Sequence, residues 1–236
     1  MSHKVEDFSQ AFYPFLHEDR KAPKELLAGL RFSLLEKARD SAQTKIAFFE
    51  ENQQLILQAS LTLARAFQQG QKLLVCGNGG SATDAQHVAV EFMHPITVGR
   101  RALPCICLTN DMAMVTAVAN DIGFDDIFVR QIIALGQPGD VLLAISTSGN
   151  SPNLIRAFET ARRMQIVTLA FSGDDGGKLA GSSERLVDFC FTVPTSSVHR
   201  IQETHVALYH ILWDLVHEFL QHPTTLEAME LDIQQK

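Results

Sequence analysis

The sequence predicts an α/β fold, a three-layer sandwich on a five-stranded parallel sheet, with N-terminal helices. Three observations predict it. Five short apolar runs follow Gly70, at 72–76, 103–108, 141–146, 166–171 and 186–193. Helix-like segments lie between most of them, and continuous apolar strands separated by helices imply a parallel sheet covered on both faces. Hydrophobic residues make up 46% of the 236 residues and charged residues 20%, enough for a packed core. Right-handed crossovers between the strands then place helices above and below the sheet.

Taken in order, the chain starts with a segment, to about Pro23, that mixes Phe, His, Pro and charges without a sustained period. It reads as an arm. From 24 to 69 two helical patterns follow. Leu26, Leu27, Leu30, Leu34 and Ala38 mark the first, and Leu55, Ile56, Ala59, Leu63 and Phe67 the second. Gly70 is the expected stop. The strand and helix runs of the sheet come next. The last long segment, 200–220, is apolar on nearly every side, which predicts burial all round and, in a domain this small, a second subunit against it. The expected organisation is an arm over 1–32, one domain over 33–222 and a tail over 223–236.

Charge excludes a function class. Lys and Arg number 20 against 27 Asp and Glu, a net charge of −7. A general nucleic-acid binder needs a basic surface to neutralise phosphates, so nucleic acid is not an expected partner. A small local anion site remains compatible. No stretch is long and apolar enough to span a bilayer, and Met1 to Asp7 does not resemble a secretory signal. Cys76, Cys105, Cys107 and Cys190 lie in the strand-like runs and form no C-x-x-C pair. They read as buried thiols, and the expected location is the cytoplasm.

Two loops follow strands and enter helices. The first runs Cys76-Gly77-Asn78-Gly79-Gly80-Ser81. Its glycines let the backbone approach a ligand, and a helix start offers free N–H groups and the positive end of a dipole. The spacing is G-x-G-G, so neither the dinucleotide fingerprint nor the P-loop fits. A tight strand-to-helix turn is the plainer alternative. The second loop runs Ile145-Ser146-Thr147-Ser148-Gly149-Asn150-Ser151-Pro152, with Ser151-Pro152 as a helix start. Its hydroxyls exceed what one helix cap needs. Neutral donors with backbone N–H groups can hold a phosphate monoester, and ligands of open α/β sheets bind beyond the carboxyl ends of strands.

His87 and Glu91 are four residues apart on the helix that starts near Ser81, so they share one face. They can be two ligands of a zinc ion or a surface ion pair. Gln202 and His210 lie in the apolar terminal helix, where a buried polar group needs a partner. Spacing does not select them, because Glu203 and His205 compete on the same helix. Glu203 with His210 matches a seven-residue stripe better than Gln202 does.

Cys76-Gly77-Asn78-Gly79-Gly80-Ser81-Ala82-x-Asp84-Ala85-Gln86-His87, the second loop through Asn153, and Arg200-Ile201-Gln202-Glu203-x-His205 together resemble the sugar isomerase (SIS) family. The nearest branch is that of the phosphoheptose isomerases. Ala119-Asn120-Asp121-x-Gly123-Phe124, Asp126-Ile127-Phe128 and the Gly176-Gly177 pair after Phe171-Ser172-Gly173 add to the likeness, which runs from about Ser33 to Leu220. It implies a flavodoxin-like SIS fold and an isomerase turning an open-chain ketose phosphate, sedoheptulose 7-phosphate, into an aldose phosphate through an enediol. It implies Zn2+ held by His87, Glu91, Gln202 and His210, with Glu91 and His210 as the catalytic acid/base pair. It implies that Asn78, Gly79, Ser81, Glu91, Asn120, Asp121, Ser146, Thr147, Ser148, Ser151 and Gln202 bind substrate. It also implies a homotetramer with shared sites, which would account for the apolar terminal helix.

The initiator-associating replication regulators share this fold and tetramer without isomerase activity. They typically lack a Glu at 91 and a His at 210, and this chain keeps both. A protein-binding regulator and a phosphosugar sensor stand as the alternatives to an enzyme. The chain departs from the family at Met93-His94-Pro95-Ile96, where Pro95 takes the place of a phosphate-binding Arg. Arg100 or Arg101 is a possible substitute for its charge. His199 also differs from many relatives, and the arm is longer than usual. These departures bear on which sugar phosphate is used more than on the reaction type.

Overall fold

The computed structural model describes residues 23–181 and 186–222. The arm up to residue 22 and the tail from 223 lie outside them. The first helix, α1, is Pro23–Gln68, 46 residues without a break. Two helices were expected there. Nothing between the two periodic stretches ends a helix, because 39–54 holds no Pro or Gly. The chain forms two compact units, 1–40 and 41–236. In the first, Leu26, Leu27, Leu30 and Leu34 of α1 are exposed. The second holds the sheet. Gly70, at φ +83°, follows α1 and takes the left-handed conformation that a side chain resists.

The strands are β1 (Leu73–Gly77), β2 (Cys105–Cys107), β3 (Val141–Ile145), β4 (Val167–Gly173) and β5 (Phe189–Val193). Each falls within its apolar run or ends one or two residues beyond it. They form one sheet in the order β2-β1-β3-β4-β5. All pairs are parallel, with Leu73 opposite both Cys105 and Val141. The helices between them are α2 (Gly80–Met93), α3 (Met112–Asp121), α4 (Val129–Leu135), α5 (Pro152–Arg163) and α6 (Gly177–Gly181). The terminal helix α7 is Val198–Gln221.

Strand alternation divides the core in two. Leu73 and Val75 point into a cluster with the later part of α1, α2 and α7. Leu74 and Cys76 point into one with α4, α5 and α6. Period-two side chains from strands apolar on both faces therefore generate the three layers. The own chain buries one broad face of α7, including Ile201, Leu208, Leu212 and Val216. Much of the all-round apolar character read from the sequence is thus met inside one protomer. All four cysteines are free thiols in strands. Burial pushes the Cys76 and Cys105 thiols well up, so both are inert. Among the described residues no helix is long and apolar enough to cross a membrane.

The topology matters for function at β1. Its two neighbours are β2 on one side and β3 on the other, so the crossovers leave it in opposite directions. That is the switch point at which open α/β sheets bind ligands, beyond the carboxyl ends of β1 and β3.

Candidate active site

Both predicted loops lie at that edge. After β1, the chain turns through Gly77, Asn78 and Gly79 into α2. A Cβ at Gly77 would strike the Ser81 carbonyl and crowd that of Ile145, so the turn closes only around glycine. Ser81 is buried at the start of α2, and its N–H donates to the Asn78 carbonyl at 3.0 Å. After β3, Ser146 is buried and its Oγ accepts from the Gly149 N–H at 3.0 Å. Ser148 is exposed, and its Oγ accepts from the Asn150 N–H at 3.3 Å. Thr147 is half-buried between them. Gly149 has φ +64°, and a Cβ there would collide with the Gly176 carbonyl. Ser151 caps α5 without using its side chain, which leaves the hydroxyl available.

A residue without an assigned role joins the two loops. Asn153 is buried, and its amide N–H donates to Asn78 Oδ1 at 2.9 Å while Asn78 donates to Asn153 Oδ1 at 3.0 Å. The reciprocal amide pair holds the starts of α2 and α5 together. Only the family-like string through Asn153 hinted at it in sequence.

The second group is built across two helices. His87 and Glu91 lie on one face of α2, with His87 Nε2 3.1 Å from Glu91 Oε1. His210 comes from α7, its ring centroid 5.1 Å from that of His87. One donor atom from each of His87, Glu91 and His210 lies within 4.8 Å of the others. Two imidazoles and a carboxylate are a nitrogen and oxygen donor set that suits zinc. Gln202, also on α7, sits against the start of α2, where a Cβ on Gly80 would strike its amide.

The competitors on α7 are used elsewhere. Glu203 accepts from Ser41 Oγ at 2.6 Å and from Arg200 at 2.8 Å. His205 is fully buried, with Nε2 3.0 Å from the Ser172 carbonyl on β4. Burial holds its imidazole neutral, with a pKa pulled down to about 4. Arg100 is also committed: it pairs with Asp214 at 2.6 Å and Glu218 at 3.1 Å and lies over the Trp213 ring. Its charge is spent on α7. Asn120 and Asp121 are exposed on the last turn of α3 and bonded to each other at 2.8 Å. Among the described residues, neither bonds to a loop of the site.

Two α7 side chains that the sequence did not single out reach α2. Tyr209 is buried, with Oη 2.8 Å from His87 Nδ1. Burial first, then the carboxylates of Asp84 and Glu91, raise its phenol well above the usual tyrosine range. Burial also pushes the Asp84 carboxyl up, with His87 acting against it. Trp213 Nε1 donates to the Glu91 carbonyl at 2.8 Å. That carbonyl lies in the last turn of α2, where no helical N–H reaches it, and Pro95 beyond the helix has none to give. The indole replaces the missing donor, and a Trp N–H in an apolar helix was the available signal.

The SIS domain is recognised over residues 38–173. The chain belongs to the SIS domain family. Its 45% identity to phosphoheptose isomerases places it in that branch of the SIS family, and it is an isomerase. The phosphoheptose isomerase of Desulfovibrio desulfuricans is 45% identical over 183 residues, covering 78% of this chain and 85% of that relative. That of Aquifex aeolicus is 45% identical over 182 residues, covering 77% and 93%. The solved phosphoheptose isomerase of Neisseria gonorrhoeae superposes with a TM-score of 0.73 at 36% identity, covering 79% of this chain and 98% of that one. The SIS fold expected from the sequence is therefore the observed one.

Proposed function

We propose that this protein converts sedoheptulose 7-phosphate into D-glycero-D-manno-heptose 7-phosphate through an enediol, with zinc in the site. The convergence of His87, Glu91 and His210 carries the reading. The names of the relatives support the substrate.

The phosphate end belongs at the two loops. Ser146, Thr147, Ser148 and Ser151 offer hydroxyls, and the starts of α2 and α5 offer N–H groups and favourable dipoles. This anion site relies on neutral donors, which is compatible with a net charge of −7. Asn78, Gly79 and Ser81 face the same edge, with Asn120 and Asp121 assigned to the sugar hydroxyls.

Isomerisation needs one group to take a proton from C1 of the ketose and one to return a proton to C2. In the enediol O2 has gained a proton, and when C2 is protonated O1 gives its proton back to the acid/base pair, so the carbonyl is left at C1 and O2 ends as a hydroxyl. Glu91 and His210 are the pair, since a carboxylate and an imidazole can each carry a proton and both face one point. Bound zinc would polarise the carbonyl oxygen and stabilise the charge that develops on it. His87, Glu91, Gln202 and His210 would hold it.

The reading includes a cytoplasmic homotetramer with shared sites. The exposed Leu26, Leu27, Leu30 and Leu34 of α1 support an oligomer, and light scattering measures its mass. The deciding assay is turnover of sedoheptulose 7-phosphate by zinc-loaded protein. Absence of turnover on every six- and seven-carbon ketose phosphate ends the proposal.

A further inference from the structure

We infer that Tyr209 is a positioning residue for His87, fixing its ring orientation and tautomer so that Nε2 faces Glu91 and His210. Its use in metal binding rests on the function proposed above, whereas the hydrogen bond itself does not.

His87 needs such a partner. Its side chain is 45% exposed on the outer face of α2, with only Glu91 bonded to it from its own helix. An exposed imidazole samples several rotamers and both tautomers. Tyr209 is 2% exposed, so its ring is held by the core. Its oxygen lies 2.8 Å from Nδ1, and the two rings meet edge to face with centroids 5.3 Å apart. The same phenol ring tilts against His210 at 4.6 Å. One side chain thus braces both histidines of the cluster. With Nδ1 bound to the phenol, Nε2 is left on the side of Glu91, 3.1 Å from Oε1.

A hydroxyl suits this task because it donates and accepts. With the phenol donating, Nδ1 is the acceptor and Nε2–H points at Glu91. With Nδ1–H donating to the phenol oxygen, the Nε2 lone pair is free for a cation and the phenol proton needs another acceptor. Asp84 Oδ2 is buried without a hydrogen-bond partner among the described residues, one turn before His87 on α2. No bond joins it to the phenol in this structure, so it accepts that proton only after turning toward Tyr209. Metal-ligating histidines generally have their second nitrogen fixed in this way by an outer group.

Trp213 gives the same helix a second anchor. Tyr209 and Trp213 are four residues apart on α7, and they bond to His87 and to the backbone of Glu91, four apart on α2. The two contacts hold one face of α2 in register with His210.

Tyr209→Phe keeps the ring and removes only the oxygen. In metal-free protein, the ring-nitrogen NMR resonances of His87 are expected to move from one tautomer to a mixture. Zinc affinity, read by competition with a chromophoric chelator, is expected to fall about 10- to 100-fold. Asp84→Ala, on an already helical and half-buried position, is the second variant and should shift the tautomer ratio the same way, less far. Unchanged His87 resonances in both variants overturn the inference, as does a zinc affinity of Tyr209→Phe within about twofold of wild type beside wild-type tautomers. If wild type neither binds zinc nor turns over substrate, the proposed function fails, while the His87 resonances still decide the role of Tyr209.

Discussion

The hydroxyl loop after β3 and the His87/Glu91/His210 cluster are assembled in different ways. The loop is tied mainly to itself: Ser146 to Gly149, Ser148 to Asn150, with Gly149 seated against the Gly176 turn. Its turn is set by residues within a few positions of one another, and the start of α6 braces it from outside through the Leu179 N–H to the Gly149 carbonyl at 3.2 Å and the Lys178 N–H to Asn150 Oδ1 at 3.1 Å. The cluster depends on two helices meeting. His87 and Glu91 come from α2 and His210 from α7, more than a hundred residues later, and Tyr209 and Trp213 hold the helices in register. Binding groups can thus be built by local turns, while the reactive groups need tertiary packing to share one point.

The largest expected effect tests the cluster directly. Glu91→Gln removes the carboxylate without changing shape, and kcat should fall by about 10²- to 10⁴-fold. Circular dichroism should stay that of wild type. Activity within tenfold of wild type would mean that Glu91 is not one of the proton-transfer pair.

The buried imidazole of His205 on α7 can be read out by pH. His205 has a folded pKa of about 4, below its ordinary 6.5. Between these values the unfolded chain binds a proton that the folded chain refuses. Stability should therefore be full above pH 6.5 and fall as pH drops toward 4, by roughly 3 kcal/mol from this group. Melting temperatures across that window measure it, and His205→Gln should flatten the slope. A slope that His205→Gln leaves intact assigns the acid sensitivity elsewhere.

Gly149→Ala tests the independence of the loop. It forces a side chain to φ +64° and against the Gly176 carbonyl. A cost of about 2–3 kcal/mol in stability and a raised KM are expected. Zinc affinity should hold within about threefold, since the cluster has separate supports. A parallel loss of zinc binding would show that the two regions are one cooperative unit.

The smallest effect concerns the amide pair that joins the two loops. Asn153→Ala leaves the Asn78 amide without its buried partner, a cost of about 1–2 kcal/mol. KM should rise more than kcat falls, because both ends of the broken pair serve the loops. An equal fall in kcat and kcat/KM would place Asn153 in the chemical step instead.

Much of this was legible in sequence because it is local. The five strands announced themselves as apolar runs, and Gly77 and Gly149 sit where turns admit no side chain. His87 and Glu91 were readable as a pair because an α-helix puts positions four apart on one face. Asn153 and Trp213 were not, since a buried polar group signals that it needs a partner but does not say which one. The role of Trp213 shows only once its indole is placed against the Glu91 carbonyl in the last turn of α2, a helix that ends two residues before the N–H-less Pro95.

The sequence by itself determined the layers, the parallel sheet and the two glycine- and hydroxyl-rich loops at its edge. Hydrophobic periodicity and backbone sterics act over a few residues and need no further information. Only the tertiary structure decided that His210, and not Glu203 or His205, joins His87 and Glu91. All three lie on α7, and the choice depends on which face of that helix meets α2. It also decided that Arg100 serves Asp214, Glu218 and Trp213. Helix rotation and register are set by packing against the sheet, through contacts between residues far apart in the chain.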